Sequence, residues 1–212
     1  MTTVLFLDPI VASRSLLKHP FYVKWVRGEL SLDDLRSYAK EYFTLVERIP
    51  GIVARVRERV SDPRTRSHID ENIREETEHV ELWKRFAASL GISESDLHTH
   101  EPSPKLLDAV DELEEIADEG ADEGVAAIYA LELELPMIAK TKKDGLCKFY
   151  ALESADAHAY FDAHLGEEKH LAVWREIPVD GKRGAAAARR SMAAQNAVLD
   201  AVCDARGISM NC

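Results

Sequence analysis

SLDDLRSYAKEYFTLVERIPGIVARVRERV, residues 31–60, repeats its apolar side chains at steps of three and four. Leu32, Leu35, Tyr38, Tyr42, Leu45, Val46, Ile49, Ile52, Val53 and Val56 fall on one face of a helix turning every 3.6 residues. Ser31 is a natural N-cap for it, and Pro50-Gly51 predicts a kink. The same periodicity continues on both sides. Asp8-Pro9 opens a helix to about His19, and HPFYVKWVRGEL gives a short second one that stops at Gly28. Downstream, Asp62-Pro63 opens a helix that runs through ENIREETEHVELWKRFAASL to Gly91. After a His-, Ser- and Pro-rich loop to about Pro104, helices are predicted near 105–119 and 122–140, with Gly145 as an interruption. FYALESADAHAYFDAHLGEEKHLAVWREI reads as one helix ending before Pro178, and an Ala-rich helix near 185–206 closes the chain. With neither an internal repeat nor a linker, residues 1–212 read as a single all-α domain, a bundle of seven to eight helices.

Composition narrows the function. The chain has 212 residues, 46% hydrophobic and 31% charged, enough for a sizeable core. Its 38 acids against 27 bases give a net charge of -11, which argues against nucleic acid and anionic membrane as partners. Aromatics are only 7%, so the residues that build sheets are scarce. Cys147, Cys203 and Cys212 form no CxxC pair and fit a reduced, cytoplasmic setting better than a disulfide framework. No apolar run reaches the ~18 residues of a membrane span, and MTTVLFLDPI lacks the marks of a signal peptide.

Three segments carry unusual ligand chemistry. Glu75, Glu76 and His79 share one helical turn, and Glu76 and His79 are spaced i, i+3, a ligand unit of di-iron carboxylate bundles. Glu132 and Glu134 lie in the otherwise apolar IYALELELPMIAK, where a buried carboxylate needs a metal or a basic partner. At i, i+2 the two cannot share a face, so at most one is expected inside. HAYFDAHLGEEKH adds His158, Asp162, His164, Glu167, Glu168 and His170. Glu-x-x-His recurs by chance in so acidic a chain, so the weight lies in the conjunction of three helices. Imidazole and carboxylate without thiolate suit iron or manganese better than structural zinc.

Four stretches, in order, resemble one family. HPFYVKWVRGELSLDDLRSYAKEYF, NIREETEHVELWKRFAASLG, YALELELPMIAKTKKDGLCKFY and YFDAHLGEEKHLAVWREI are similar to the signatures of the CADD-type branch of haem-oxygenase-like di-metal oxidases. That branch is related to thiaminase II and pyrroloquinoline-quinone synthase C. The likeness spans roughly residues 16–176 and implies a haem-oxygenase-like bundle with two metal ions, iron or iron with manganese. It implies Glu76 and His79 as ligands, Glu132 in preference to Glu134, then His164, Glu167 or Glu168, and His170. The family's last motif is H-x-x-x-D-x-x-H, whereas His164, Glu168 and His170 are spaced 0, 4 and 6, or Glu167 and His170 keep the final step. On a regular helix His164 and His170 differ by about 120°. A local irregularity, such as a π-bulge, is therefore expected between them.

The resemblance also implies roles for Tyr22 and Lys142. Branch members make para-aminobenzoate for folate synthesis, the ring coming from a protein tyrosine and a lysine implicated as amino donor. Tyr22 and Lys142 match those positions, with oxygen and a reductant as co-substrates and an external electron donor as partner. A homodimer is left open. Read without the resemblance, Tyr22 is a core-edge aromatic, Lys142 a surface lysine, and Tyr38 and Tyr42 ordinary core rings. Competing expectations are a multiple-turnover di-iron oxygenase with a larger apolar cavity, a cofactor-free quinone-synthase-like oxidase, and a protein-interaction module. A thiaminase-like activity would need a Cys nucleophile, and Cys147 lies past the required segment.

Overall fold

The computed structural model describes residues 3–166 and 168–210, and of Glu168 the backbone. The architecture is all-α. After a 3-10 turn come α1 (Asp8–Ser13), α2 (Pro20–Arg27), α3 (Leu32–Arg59), α4 (Pro63–Ser89), the short α5 (Glu94–His98) and α6 (Pro104–Glu119). Then follow α7 (Ala121–Glu132), α8 (Leu135–Tyr150), α9 (Ala155–Ala163), α10 (Glu168–Glu176) and α11 (Gly181–Arg206). α3 packs on α4 and α6, α11 on α6 and α7, and α4 on α9. No helix among the described residues is long and apolar enough to cross a membrane.

Local chemistry sets the helix starts. Ser31 and Asp34 form a reciprocal cap: Asp34 N–H donates to Ser31 Oγ at 3.1 Å, and Ser31 N–H to Asp34 Oδ2 at 2.8 Å. Asp62 accepts from Thr65 N–H at 2.7 Å with Pro63 in the first turn. α3 remains one continuous helix through Pro50.

Among the described residues, nine helices have eight residues or more. The count exceeds the expected seven to eight because two predicted helices break. The segment near 122–140 divides at Leu133–Glu134. Pro136 has no N–H to extend α7, and instead takes the first turn of a new helix. Glu132 thereby ends α7 pointing inward, 2% exposed. Glu134 turns away, its Oε2 accepting from Leu16 N–H at 3.0 Å and so tying down a neighbouring 3-10 turn.

α8 runs through Gly145, where an interruption was expected. Glycine serves there as a point of close approach: a Cβ would lie 2.4 Å from Trp25 Nε1. The Trp25 indole donates to the Lys142 carbonyl at 3.2 Å, which anchors the turn of α8 that carries Lys142. The second break lies between α9 and α10, where a 3-10 turn occupies His164–Gly166. The few aromatics are concentrated inside: Trp25, Trp83, Trp174, Tyr22, Tyr38 and Phe161 are all fully buried. Burial of each contributes on the order of 2–3 kcal/mol.

Candidate metal centre and aromatic cage

Two groups of buried ligand atoms meet in the bundle. Glu76, His79 and His164 form one, and Glu76, Glu132 and His170 the other; within each, the donor atoms lie within 4.8 Å of one another. Glu76 belongs to both. All five residues are at most 7% exposed. α4 supplies Glu76 and His79 from adjacent turns, the end of α7 supplies Glu132, and the broken α9–α10 segment supplies both remaining histidines.

Hydrogen bonds orient these groups inward. The Tyr160 carbonyl lies 2.7 Å from His164 Nδ1 and can only accept, so Nδ1 donates and Nε2 keeps its lone pair. His170 Nε2 lies 2.5 Å from Glu75 Oε2 and must donate likewise, which leaves Nδ1 facing Glu76, 3.9 Å from its Oε1. Such outer contacts fix the tautomer of metal-binding histidines. Glu132 accepts from Trp174 Nε1 at 2.7 Å and from Asn72 Nδ2 at 3.3 Å, both neutral donors. Burial pushes the Glu76 carboxyl up, but the His79 hydrogen bond and the neighbouring imidazoles outweigh it and hold the group below its usual range. An ionised Glu76 in the core is a heavy cost unless positive charge offsets it, and the surrounding imidazoles or a bound cation can do so. Carboxylate oxygen and imidazole nitrogen at this spacing could hold metal ions.

Of the residues singled out by sequence, Glu76, His79, Glu132, His164 and His170 are brought together. Glu167 lies outside the described residues, and of Glu168 only the backbone is described. The irregularity expected between His164 and His170 is present as a 3-10 turn at 164–166 rather than a π-bulge among the described residues, and the two histidines lie in different groups that share Glu76. His158 and Asp162 serve elsewhere: His158 Nε2 lies 2.8 Å from the Leu152 carbonyl, and exposed Asp162 pairs with Lys143. Asn72 and Trp174 were not anticipated. Each stands one helical turn from a predicted ligand, Asn72 four before Glu76 and Trp174 four after His170, and that spacing could have found them.

Beside this cluster lies a cage of rings around Lys142. The lysine is 2% exposed, not a surface residue. Its Nζ donates to the Tyr38 hydroxyl and lies 4.7 Å from the Tyr38 ring centre, 4.9 Å from Tyr42 and 5.5 Å from Tyr22. Trp83 and Phe161 complete the enclosure at 5.9 and 5.7 Å. Burial lowers the amine to about 7. Burial also raises the Tyr22 phenol well above its usual value, with Tyr42 and Glu134 adding to the effect. Ring contacts join the two sites: Tyr160 lies 4.3 Å from His164 and 4.7 Å from Trp83, and Trp83 stacks on Tyr42 at 5.3 Å. A small cavity lined by Tyr42, Glu76, Glu132, Tyr160 and His164 lies between them, with about 20 Å³ open to the centre of a water-sized sphere.

The chain is similar to known proteins in sequence and in fold. The chain is 33% identical over 175 residues to a 4-aminobenzoate synthase of Chlamydia muridarum, covering 80% of this chain and 73% of the relative. It is 34% identical over 171 residues to a 4-aminobenzoate synthase of Nitrosomonas europaea, covering 74% and 70%. A heme oxygenase-like domain from Shewanella denitrificans superposes with a TM-score of 0.83 at 18% identity, covering 98% of this chain and 95% of that one. A CADD-like protein from Nostoc punctiforme does so at 0.70 and 17% identity, covering 96% and 93%; these two likenesses concern the fold alone. Residues 7–203 match the TENA/THI-4/PQQC family, and the chain belongs to that family.

Proposed function

We propose that this chain is an oxygen-activating di-metal oxidase that makes para-aminobenzoate for folate synthesis from its own Tyr22, with Lys142 giving the nitrogen. Glu76, His79, Glu132, His164 and His170 would hold two metals, iron or iron with manganese, and Glu167 or Glu168 would complete the set. When bound, the pair would supply Lewis acidity and redox equivalents for the use of oxygen. The observation that carries the reading is the burial of Lys142 among the rings of Tyr22, Tyr38 and Tyr42, beside the carboxylate–imidazole cluster.

The residues fit the chemistry. Para-aminobenzoate is the Tyr side chain cut from the chain at Cα–Cβ, with Cβ oxidised to the carboxylate by oxygen and the phenol oxygen lost in exchange for nitrogen, which must in turn leave the Lys142 Cε. A nitrogen nucleophile needs its lone pair, and at about 7 the Lys142 amine is neutral in much of the population near neutral pH. The raised Tyr22 phenol keeps its proton until oxidation removes proton and electron together. The neutral amine is a nearby base for that proton. The rings of Tyr42, Trp83 and Tyr160 give the electron a route of short steps toward His164. The same rings exclude water from the amine. An external electron donor would supply the reductant.

A multiple-turnover oxygenase would need space for its substrate beside the ligands. The cavity between the ligands and the Lys142 rings, about 20 Å³, admits a water-sized molecule and not an aromatic or fatty acid, which favours a substrate carried by the chain at that place; the hollow of about 280 Å³ that His170 also lines is away from the rings. The test is product formation by purified protein given ferrous and manganous ions, oxygen and a reductant. The parent protein is expected to yield para-aminobenzoate. Tyr22→Phe is expected to yield none while keeping its metals, and Lys142→Arg to fail because guanidinium stays protonated. Product from Tyr22→Phe at the parent level would reject the proposal.

A further inference from the structure

Acidic side chains line several surface hollows, among them one on α6 and one between α4 and α10. On α6, Asp111, Glu114, Asp118 and Glu119 already pair with Arg48, Arg55, Arg59 and Arg190. The second hollow, about 280 Å³, lies between α4 and α10 and is lined by His68, Glu71, Asn72, His170, Val173 and Glu176. Lys169 also lines it and pairs with Glu75, and Arg74 lies 3.9 Å from Glu71, the two side chains being largely exposed. Two of these residues belong to the hollow and to the candidate centre at once. His170 is in the group with Glu76 and Glu132, and Asn72 hydrogen-bonds Glu132.

Asn72 is the informative residue. It is 1% exposed. Glu132 accepts its Nδ2 at 3.3 Å, and since a carboxylate can only accept, the amide can stand only one way round. Its Oδ1 is then a buried acceptor with no hydrogen-bond partner. Such an atom calls for a donor or a cation. Along α4, His68, Glu71, Asn72, Glu75, Glu76 and His79 follow steps of three and four. They form a continuous line of nitrogen and oxygen donors from the hollow to the candidate centre.

We propose that this hollow is the entry port for divalent cations. Ferrous or manganous ion is drawn in past His68, Glu71 and Glu176, meets the Asn72 side-chain oxygen, and is passed to Glu132 and His170. The inference rests on the reading that the Glu76 cluster holds metal. Oxygen and imidazole donors bind these ions loosely enough to release them inward. Carboxylates at the mouth raise the local cation concentration and the rate of capture. The α6 hollow has the acid without the buried acceptor and serves as the control.

The test is the rate at which protein stripped of metal by chelation takes up manganous ion alone, followed against a competing indicator. Glu71→Gln/Glu176→Gln, at two exposed positions, is expected to load on the order of tenfold more slowly, with a weaker dependence on salt and the same final content. Glu115→Gln, in the α6 hollow, is expected to load at the parent rate. Parent-like rate and salt dependence in the double variant would overturn the port alone. Lowered final content at an unchanged rate would make the two acids ligands and also overturn it. A parent protein that takes up no metal would overturn the centre and the port together.

Discussion

At the candidate metal centre, Glu76 keeps its charge inside the core; a few residues away, in the aromatic cage, Lys142 gives its charge up. Both groups are removed from water, and burial works against the ionised form of each. Around Glu76, imidazoles and a hydrogen bond win, and the carboxyl stays below its usual range. Around Lys142 stand the faces of five rings. Cation–π attraction of about 1–2 kcal/mol favours the ammonium but does not match the loss of hydration, and the amine falls to about 7. One site is built to hold charge, as metal binding requires. The other holds a lone pair, as nitrogen transfer requires. α4 and α9 reach both places, but α4, α7, the 164–166 turn and α10 bring carboxylates and imidazoles to Glu76, whereas α2, α3, α4 and α9 bring only rings to Lys142.

The largest expected effect tests the charge-holding side. Glu76 belongs to both ligand groups, so Glu76→Ala is expected to lower metal content from about two ions per chain to nearly none. His79→Ala touches one group and is expected to cost one ion. Metal analysis after purification without added metal reads both. Full occupancy in Glu76→Ala would break the comparison at its root.

The next effect belongs to the cage and is one of pH. Lys142 has an ordinary value of 10.5 when unfolded and about 7 when folded. Between those values the unfolded chain binds one more proton, so this group makes stability rise with pH from about 7 to about 10.5. Below about 7 both states are protonated and the full burial cost is present, up to a few kcal/mol at roughly 1.4 kcal/mol per pH unit. Lys142→Met is expected to remove that rise. In urea unfolding it should exceed the parent in stability at pH 6, by a margin that shrinks toward pH 10. A constant difference across that range would show that the amine is not neutral in the fold.

A smaller effect sharpens the account of how the centre is held. Trp174 Nε1 donates to Glu132 Oε2 at 2.7 Å, so Trp174→Phe keeps most of the packing and loses the bond. Metal affinity is expected to fall about 10–100-fold, with two ions still bound at saturation. A competition titration gives the number, and unchanged affinity would make Trp174 a packing residue only.

How much of this was legible in the sequence depends on range. Helical spacing makes the face of α3 and the pairing of Glu76 with His79 readable, because neighbours three and four apart must meet. The break after Glu132 was not anticipated, although Pro136 marked it; the apolar run on both sides hid the change of helix. Gly145 shows the reverse: glycine suggested a break, but its purpose is the approach of Trp25, 120 residues earlier. The resemblance singled out Lys142, while the chemistry of its cage lay beyond any local pattern. Tyr22, Tyr38, Trp83 and Phe161 come from four helices and meet only in the fold. No spacing rule links them.

Intact mass after reaction tests the central claim most directly. Protein carrying isotope in its tyrosine rings is loaded with ferrous and manganous ions, then exposed to oxygen and a reductant. The account predicts loss of the ring at position 22, with the label recovered in para-aminobenzoate in no more than one equivalent per chain. An unchanged mass at position 22, alongside continued turnover of an added small molecule, would contradict it and make this chain an ordinary oxygenase.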